Sequence, residues 1–133
     1  MRPIVVPLLL GTLCLSASGC ATVDERATAA RAVATGFHAA LLAADSGRAC
    51  AALAPGTREE LEQDGPCTEA LNALDLTPAA GGAQRVDVYG AQARVVLERD
   101  SVFLASFPDG WKVTAAGCAA RPGRPYRCEL KGD

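Results

Sequence analysis

The sequence predicts an α+β domain in which the helices come first along the chain and a sheet follows. Across residues 23–74 the apolar residues recur at the helical spacing of about 3.6 positions. Across residues 84–116 they alternate with polar residues, as in strands with one covered face. The change falls at the proline- and glycine-rich stretch 75–83, which is typical of a connection. A layer of helices packed on one sheet is therefore expected.

Length and composition fit a single small domain. The chain has 133 residues, a net charge of -2 and 50% hydrophobic residues. That hydrophobic content is too high for a disordered chain. The absence of a basic tract argues against nucleic acid as a partner.

The first twenty residues have the features of an export signal. Arg2 precedes an apolar block, residues 4–17, which is shorter than the roughly twenty residues that a membrane-spanning helix needs. Small residues then lead to a cysteine, and Ser18-Gly19-Cys20 resembles the lipobox of bacterial lipoproteins. Ala17 departs from that pattern, in which leucine is common three places before the cysteine.

The lipobox resemblance implies that residues 1–19 are removed and that the sulfur of Cys20 carries a lipid. Residues 20–133 would then form one domain at the outer face of the cytoplasmic membrane. A diacylglyceryl group has two chains, which anchor a protein stably where one chain does not. Two alternatives stay open: an ordinary secretory signal whose nearby cysteine forms a disulfide, and an uncleaved membrane anchor.

The helices are predicted from periodicity and from their start and stop signals. The first, about Val23–Asp45, begins at a capping box formed by Thr22 and Glu25 and ends at Ser46-Gly47. Three shorter helices follow, the second of which begins at another capping-box pattern. They are expected at about Arg48–Leu53, Thr57–Gln63 and Cys67–Leu74.

The alternating segments predict a four-stranded antiparallel meander, with Pro108-Asp109-Gly110 as the signal of its last hairpin. The strands are expected at about 84–89, 93–97, 102–107 and 111–115. The tail, residues 118–133, is rich in proline and glycine and needs a disulfide to hold its shape. Glu129-Leu130 is expected to add a short edge strand.

Four cysteines of the predicted domain remain once Cys20 is assigned to the lipid. They are Cys50, Cys67, Cys118 and Cys128. An even number in an exported chain predicts disulfides. Four cysteines can be joined into two disulfides in three ways, and we favour the one that joins neighbours in sequence, Cys50 with Cys67 and Cys118 with Cys128. Neither pair has the Cys-x-x-Cys spacing of zinc or redox sites, so no metal and no cofactor is expected.

The order of elements resembles the nuclear transport factor two-like cone fold, which ketosteroid isomerase and many small bacterial lipoproteins share. The likeness covers about residues 23–116 and depends on the long first helix and on the strand that opens with Gly110-Trp111-Lys112-Val113. Together with the paired cysteines, that strand is similar to those of small actinobacterial lipoproteins. The resemblance implies a cone-like domain, but a fold alone does not fix an activity.

An isomerase of this type needs a carboxylate base and a Tyr or protonated acid in a dry cavity. The candidate residues in this chain are Asp87, Glu98, Asp100, Tyr89 and Tyr126. Neither Asp87 nor Tyr89 matches the enzyme's motif, and the strand pattern predicts that both face solvent. The only histidine, His38, is predicted at the border of the apolar stripe of the first helix.

Three aromatic residues are the candidates for a ligand pocket: Phe37, Phe103 and Trp111, the only tryptophan. The alternative for Trp111 is plain core packing. A cationic group in the tail would contact anionic lipid or a partner, or would simply be solvated. It consists of Arg121, Arg124 and Arg127.

The sequence thus predicts a lipid-anchored, non-catalytic envelope protein that binds a small apolar ligand or a neighbouring envelope protein. The alternative is a secreted enzyme of the isomerase or dehydratase type on the same fold. An enclosed pocket with a buried carboxylate opposite a Tyr would favour the enzyme, and an interior filled by Phe and Leu would favour the binding module.

Overall fold

The computed structural model describes Pro3 and residues 21–132, and these residues have the α+β fold that the sequence predicts. Apart from Pro3, the predicted signal peptide and the predicted lipid attachment site, Cys20, lie outside the described residues. The described helices all precede the sheet. They are α1 (Val23–Leu42), α2 (Ser46–Ala51), α3 (Pro55–Leu61), a 3-10 helix (Glu62–Asp64) and α4 (Cys67–Ala73).

Helix α1 begins at the predicted capping box. The Thr22 hydroxyl accepts a hydrogen bond from the Glu25 amide at 3.1 Å, and the Glu25 carboxylate accepts one from the Thr22 amide at 2.9 Å. The helix ends three residues earlier than predicted, because Ala44 adopts a left-handed conformation with φ 53°. Asp45 then starts α2, its carboxylate accepting a hydrogen bond from the Arg48 amide at 3.1 Å.

Helix α3 begins at Pro55, so the capping box predicted at Thr57 was wrong. Proline suits the first turn of a helix because its missing amide proton would find no partner there. Thr57 lies inside the helix, is 1% exposed, and donates its hydroxyl hydrogen to the Thr114 carbonyl at 3.0 Å. The hydroxyl therefore joins α3 to the sheet instead of capping the helix.

The sheet of the described residues has five strands in sequence order, each antiparallel to the next. The strands are β1 (Arg85–Tyr89), β2 (Gln92–Val96), β3 (Ser101–Phe107), β4 (Gly110–Arg121) and β5 (Arg124–Lys131). The meander was predicted with four strands and a short edge strand at Glu129-Leu130, whereas the structure has a full fifth strand that includes these two residues. The tail returns along β4 through the two-residue turn Pro122-Gly123, where Gly123 has φ 64°.

The long fourth strand also holds the short helices in place. Strand β5 ends at Lys131, opposite Ala115, so the edge of β4 beyond that point is free of β5. The backbone between α2 and α3 pairs there instead. The Ala54 amide donates to the Val113 carbonyl, and the Val113 amide donates to the Ala52 carbonyl, both at 2.8 Å.

The core lies between α1 and the inner face of the sheet. Ala30, Ala34 and Ala40 of α1 are fully buried, and these small side chains allow the helix to approach the strands closely. Larger apolar side chains fill the space between the helices and the sheet. They include Phe37, Leu71, Val95, Val102, Leu104, Val113 and Leu130.

Both expected disulfides are present. Cys50 of α2 bonds Cys67 of α4, and Cys118 of β4 bonds Cys128 of β5 directly across the ladder. Closing loops of 17 and 10 residues stabilises the fold by about 3 kcal/mol each in the chain-entropy model. The first disulfide joins two helices that are too short to be stable alone.

Candidate functional site

Phe37 and Trp111 line one cavity between α1, the end of α2 and the start of β4. Its volume is about 310 Å³ and its mouth is open to solvent. The two aromatic side chains are 1% and 7% exposed, so they form its floor. Gly36 lies beside them on α1, and a Cβ atom at that position would meet nothing within 4 Å. Because Gly36 has no side chain, the cavity has room for an apolar ligand at this position.

The rim of this cavity is charged. Arg48, Asp109 and Lys112 line it. The Lys112 ammonium lies 3.4 Å from the Asp109 carboxylate, so these two charges offset one another. Arg48 is exposed and makes no ion pair among the described residues.

Another cation lies against the tryptophan of the floor. The Arg26 guanidinium is 5.3 Å from the Trp111 ring centroid and donates a hydrogen bond to the Gly90 carbonyl. A cation over an indole ring is attracted by its negative face, and the interaction is worth about 0.5–1 kcal/mol at an exposed site. The surroundings of the cavity therefore hold more positive than negative charge.

Phe103, the third candidate, lies elsewhere. It pairs with Arg94 across β2 and β3, and its ring is 5.1 Å from that of Tyr126 in an edge-to-face arrangement. Since Val102 and Leu104 on either side of it face the core, Phe103 faces away from the helices. It lines a separate cavity of about 240 Å³ with Tyr89. The three aromatic candidates therefore do not share one pocket.

Asp87 belongs to this outer face of the sheet. Its carboxylate accepts a hydrogen bond from the Arg94 guanidinium at 2.7 Å and one from Arg85 at 3.0 Å. The hydrogen bond from Arg94 is the largest influence on the pKa of Asp87 and lowers it. Burial opposes this effect, and Arg85 lowers the pKa further, so that it lies below its ordinary value. Arg94 also donates to the Tyr126 hydroxyl at 3.2 Å. Asp87 is therefore an ionised surface partner of arginines, and Tyr89 beside it is 60% exposed.

His38, the next residue of α1 after Phe37, forms a buried pair with Asp100. Both side chains are 2% exposed, and the imidazole Nε2 lies 2.7 Å from the Asp100 carboxylate. The prediction of a histidine at the border of the apolar stripe was therefore wrong. The sequence held no signal for this contact, because its partners are 62 positions apart.

Every polar atom of the pair is occupied by the protein. The His38 Nδ1 accepts a hydrogen bond from the Ala79 amide at 2.9 Å, so the ring proton is on Nε2 and is donated to Asp100. Asp100 also accepts from the amides of Gly117 at 3.1 Å and Cys118 at 2.8 Å. Burial raises the pKa of Asp100, but the hydrogen bonds from His38 and the two amides outweigh it and hold the pKa below its ordinary value.

This arrangement is suited to holding segments together and not to moving a proton. A general base needs a lone pair that a substrate can reach. The imidazole has both nitrogens engaged, and the carboxylate accepts three hydrogen bonds from groups of the protein. The pair connects α1, the stretch before β1, the turn after β2 and the strand β4.

Within residues 21–132, no group of three or more His, Cys, Asp or Glu side chains is arranged to hold a metal ion. None of the helices in that range is long and apolar enough to cross a membrane.

Comparison with known proteins gives no relative. No protein-family model, no curated protein and no solved structure matches this chain.

Proposed function

We propose that this chain is a lipoprotein of the cell envelope whose domain binds a small apolar ligand and catalyses no reaction. The observation that supports ligand binding is the cavity over Phe37 and Trp111. Its volume of about 310 Å³ lies at the small end of the range of about 300–1,000 Å³ for ligand pockets. An apolar floor with a few charged groups at the mouth is the usual make-up of such sites.

The anchor in this proposal is a lipid on Cys20, at the outer face of the cytoplasmic membrane. Support comes from the short apolar block behind Arg2 and from the lipobox-like Ser18-Gly19-Cys20. The two disulfides agree with an oxidising compartment outside the cytoplasm. Because α1 starts at Val23, the domain would lie close to the bilayer.

The domain itself we propose to be cone-like and of the nuclear transport factor two-like type. Support comes from the order of elements, with a long first helix packed on the inner face of an antiparallel meander. The strand that opens with Gly110-Trp111-Lys112-Val113 adds to the likeness.

The alternative, an isomerase or dehydratase on the same fold, receives less support. Such an enzyme needs a buried carboxylate that faces an open cavity and an oxyanion donor such as Tyr. The most buried carboxylate of the described residues, Asp100, borders a small open cavity that no Tyr lines, and both of its oxygens already accept hydrogen bonds from His38 and two backbone amides. The interior is filled by Phe37, Leu71 and Leu104, which favours the binding module.

A second candidate function is the binding of a neighbouring envelope protein, and one observation favours it. Tyr89 of the edge strand β1 is 60% exposed and lies next to Phe103 and Arg94 at the smaller outer cavity. Exposed tyrosine and arginine are enriched where proteins bind one another.

The anchor is tested by metabolic labelling with an alkyne fatty acid in a bacterial host. We expect the wild-type chain to be labelled and to fractionate with membranes, and Cys20→Ala to lose both properties. Cys14→Ala is the matched control, since that cysteine lies in the segment that is removed, and it should behave as the wild type. Continued labelling of Cys20→Ala would overturn the assignment.

Ligand binding is tested through the fluorescence of Trp111, the only tryptophan of the chain. Titration with a neutral probe, 3-phenylpropanamide, should change its emission and saturate. Gly36→Leu should abolish saturation, because the new side chain enters the open space of the cavity. Ala39→Leu, an exposed position on the same helix outside the cavity, is the control. Equal titration curves for wild type and Gly36→Leu would contradict ligand binding at this cavity.

A further inference from the structure

We propose that the ligand of the Phe37–Trp111 cavity is a small organic anion, an apolar body that carries one carboxylate or similar group. This inference rests on the proposed function, because it names the class of ligand for that same site. It follows from the arrangement of charge around an apolar floor.

The floor selects an apolar body. Val33, Phe37 and Trp111 supply it, and the gap over Gly36 gives the space in which the body can lie. Edge-to-face and offset contacts with the two aromatic rings favour a flat or branched apolar group. A ligand without such a group would leave this floor in contact with water.

The rim selects the negative charge. Lys112 is offset by Asp109 at 3.4 Å, which leaves the Arg48 guanidinium as the uncompensated charge among the residues that line the cavity. Arg26 does not line the cavity, but its guanidinium lies 5.3 Å from the Trp111 ring centroid and is a second cation nearby. A cationic ligand at this mouth would be repelled by Arg48, whereas a neutral ligand could accept a hydrogen bond from it but would gain no attraction between opposite charges.

Arginine also gives the charge a geometry. A guanidinium presents parallel N–H donors that match the two oxygens of a carboxylate, so an anion lying on the floor can form a bidentate pair with Arg48. Since Arg48 lies in the last turn of α2 and Cys50 in the same helix is bonded to Cys67, its backbone is held by the disulfide. The donor is therefore attached to a fixed position at the mouth.

The experiment compares two probes of the same shape, 3-phenylpropanoate and its neutral amide, 3-phenylpropanamide, by Trp111 fluorescence at neutral pH. The acid should bind about threefold to tenfold more tightly than the amide, since one exposed charge-assisted contact distinguishes them. Raising the ionic strength should reduce that ratio.

Arg48→Gln should bring the ratio of the two dissociation constants close to one. Arg31→Gln, an exposed arginine of α1 that does not line the cavity, should leave it unchanged. If the two probes bind the wild type equally, or the amide binds more tightly, the anionic class is wrong while the proposed function stands. If neither probe binds, both the proposed function and this inference fail. A preference that persists in Arg48→Gln would also overturn the assignment of the charge to Arg48.

Discussion

Two consecutive residues of α1 lead to two different kinds of site. Phe37 forms part of the floor of an open, apolar cavity with a charged rim, whereas His38 is sealed into a polar contact with Asp100. Their rings lie 5.6 Å apart, nearly perpendicular to each other. One turn of helix α1 therefore borders both an open cavity and a buried polar contact.

The difference teaches what each site can do. At the closed site, every hydrogen bond is made within the protein, so a change there should appear as a loss of stability. At the open cavity, the space beside Gly36 is empty, and the charge of Arg48 is in no ion pair among the described residues. A change there should alter binding and leave the fold intact.

The largest effect is expected at the closed site. Asp100→Ala removes the acceptor of the His38 ring and of the Gly117 and Cys118 amides. Breaking a buried polar pair by removing one partner costs about 3–5 kcal/mol, and the free energy of unfolding in urea should fall by that amount. Asp87→Ala, on the outer face of the sheet, should have a much smaller effect. Equal effects of the two substitutions would contradict the distinction between the sites.

Lowering the pH should remove part of the same stabilisation. The hydrogen bonds hold the pKa of Asp100 below its ordinary value. Its contribution is therefore complete above the pKa of an unfolded aspartate, about 4, and is lost as the pH falls through the lower pKa of the folded state.

The measurement is the difference in unfolding free energy between wild type and Asp100→Asn, followed from neutral to acid pH. It should be largest near neutrality and shrink below about pH 4. The charged residues that line the surface beside Asp100 are the same in both proteins and should cancel. They are Asp75, Arg99 and Glu129. A difference that stays constant with pH would contradict an ionised Asp100.

The smallest effects come from one substitution made in each region. Gly117 has φ 66°, and a Cβ there would lie 2.6 Å from the Leu76 side chain, so Gly117→Ala should destabilise the fold by about 1–3 kcal/mol.

Gly36 lies inside α1 with open space around it, so Gly36→Ala should stabilise the helix by about 0.5–1 kcal/mol. Thermal unfolding measures both, and shifts of the same sign would remove the contrast.

Much of the fold could be predicted because its signals are local. The start of α1 needs only Thr22 and Glu25, three positions apart, and the strands β1 to β3 need only alternation. The cysteine pairs were predicted from nearness in sequence. Only Glu129-Leu130 of the fifth strand was predicted, because the rest of Arg124 to Lys131 contains proline and charge in place of an alternating pattern, and its pairing is fixed by β4.

The candidate site was predicted only in part. Phe37 and Trp111 meet at one cavity, while Phe103 faces the other side of the sheet beside Tyr126. Aromatic residues mark where a pocket is chemically possible, but the face on which each lies depends on strand register. Arg48 and Gly36, which give the cavity its charge and its space, carried no signal in the sequence.

The sequence by itself determined the class of the fold, the order of its elements and the pairing of its two disulfides. Those features depend on hydrogen bonds, periodicity and loop closure over short stretches of chain. Only the tertiary structure decided that His38 meets Asp100 and that Gly36 faces open space between α1 and β4. Both depend on how segments far apart in sequence pack, because a side chain's surroundings are set by the three-dimensional path of the chain and not by its neighbours along it.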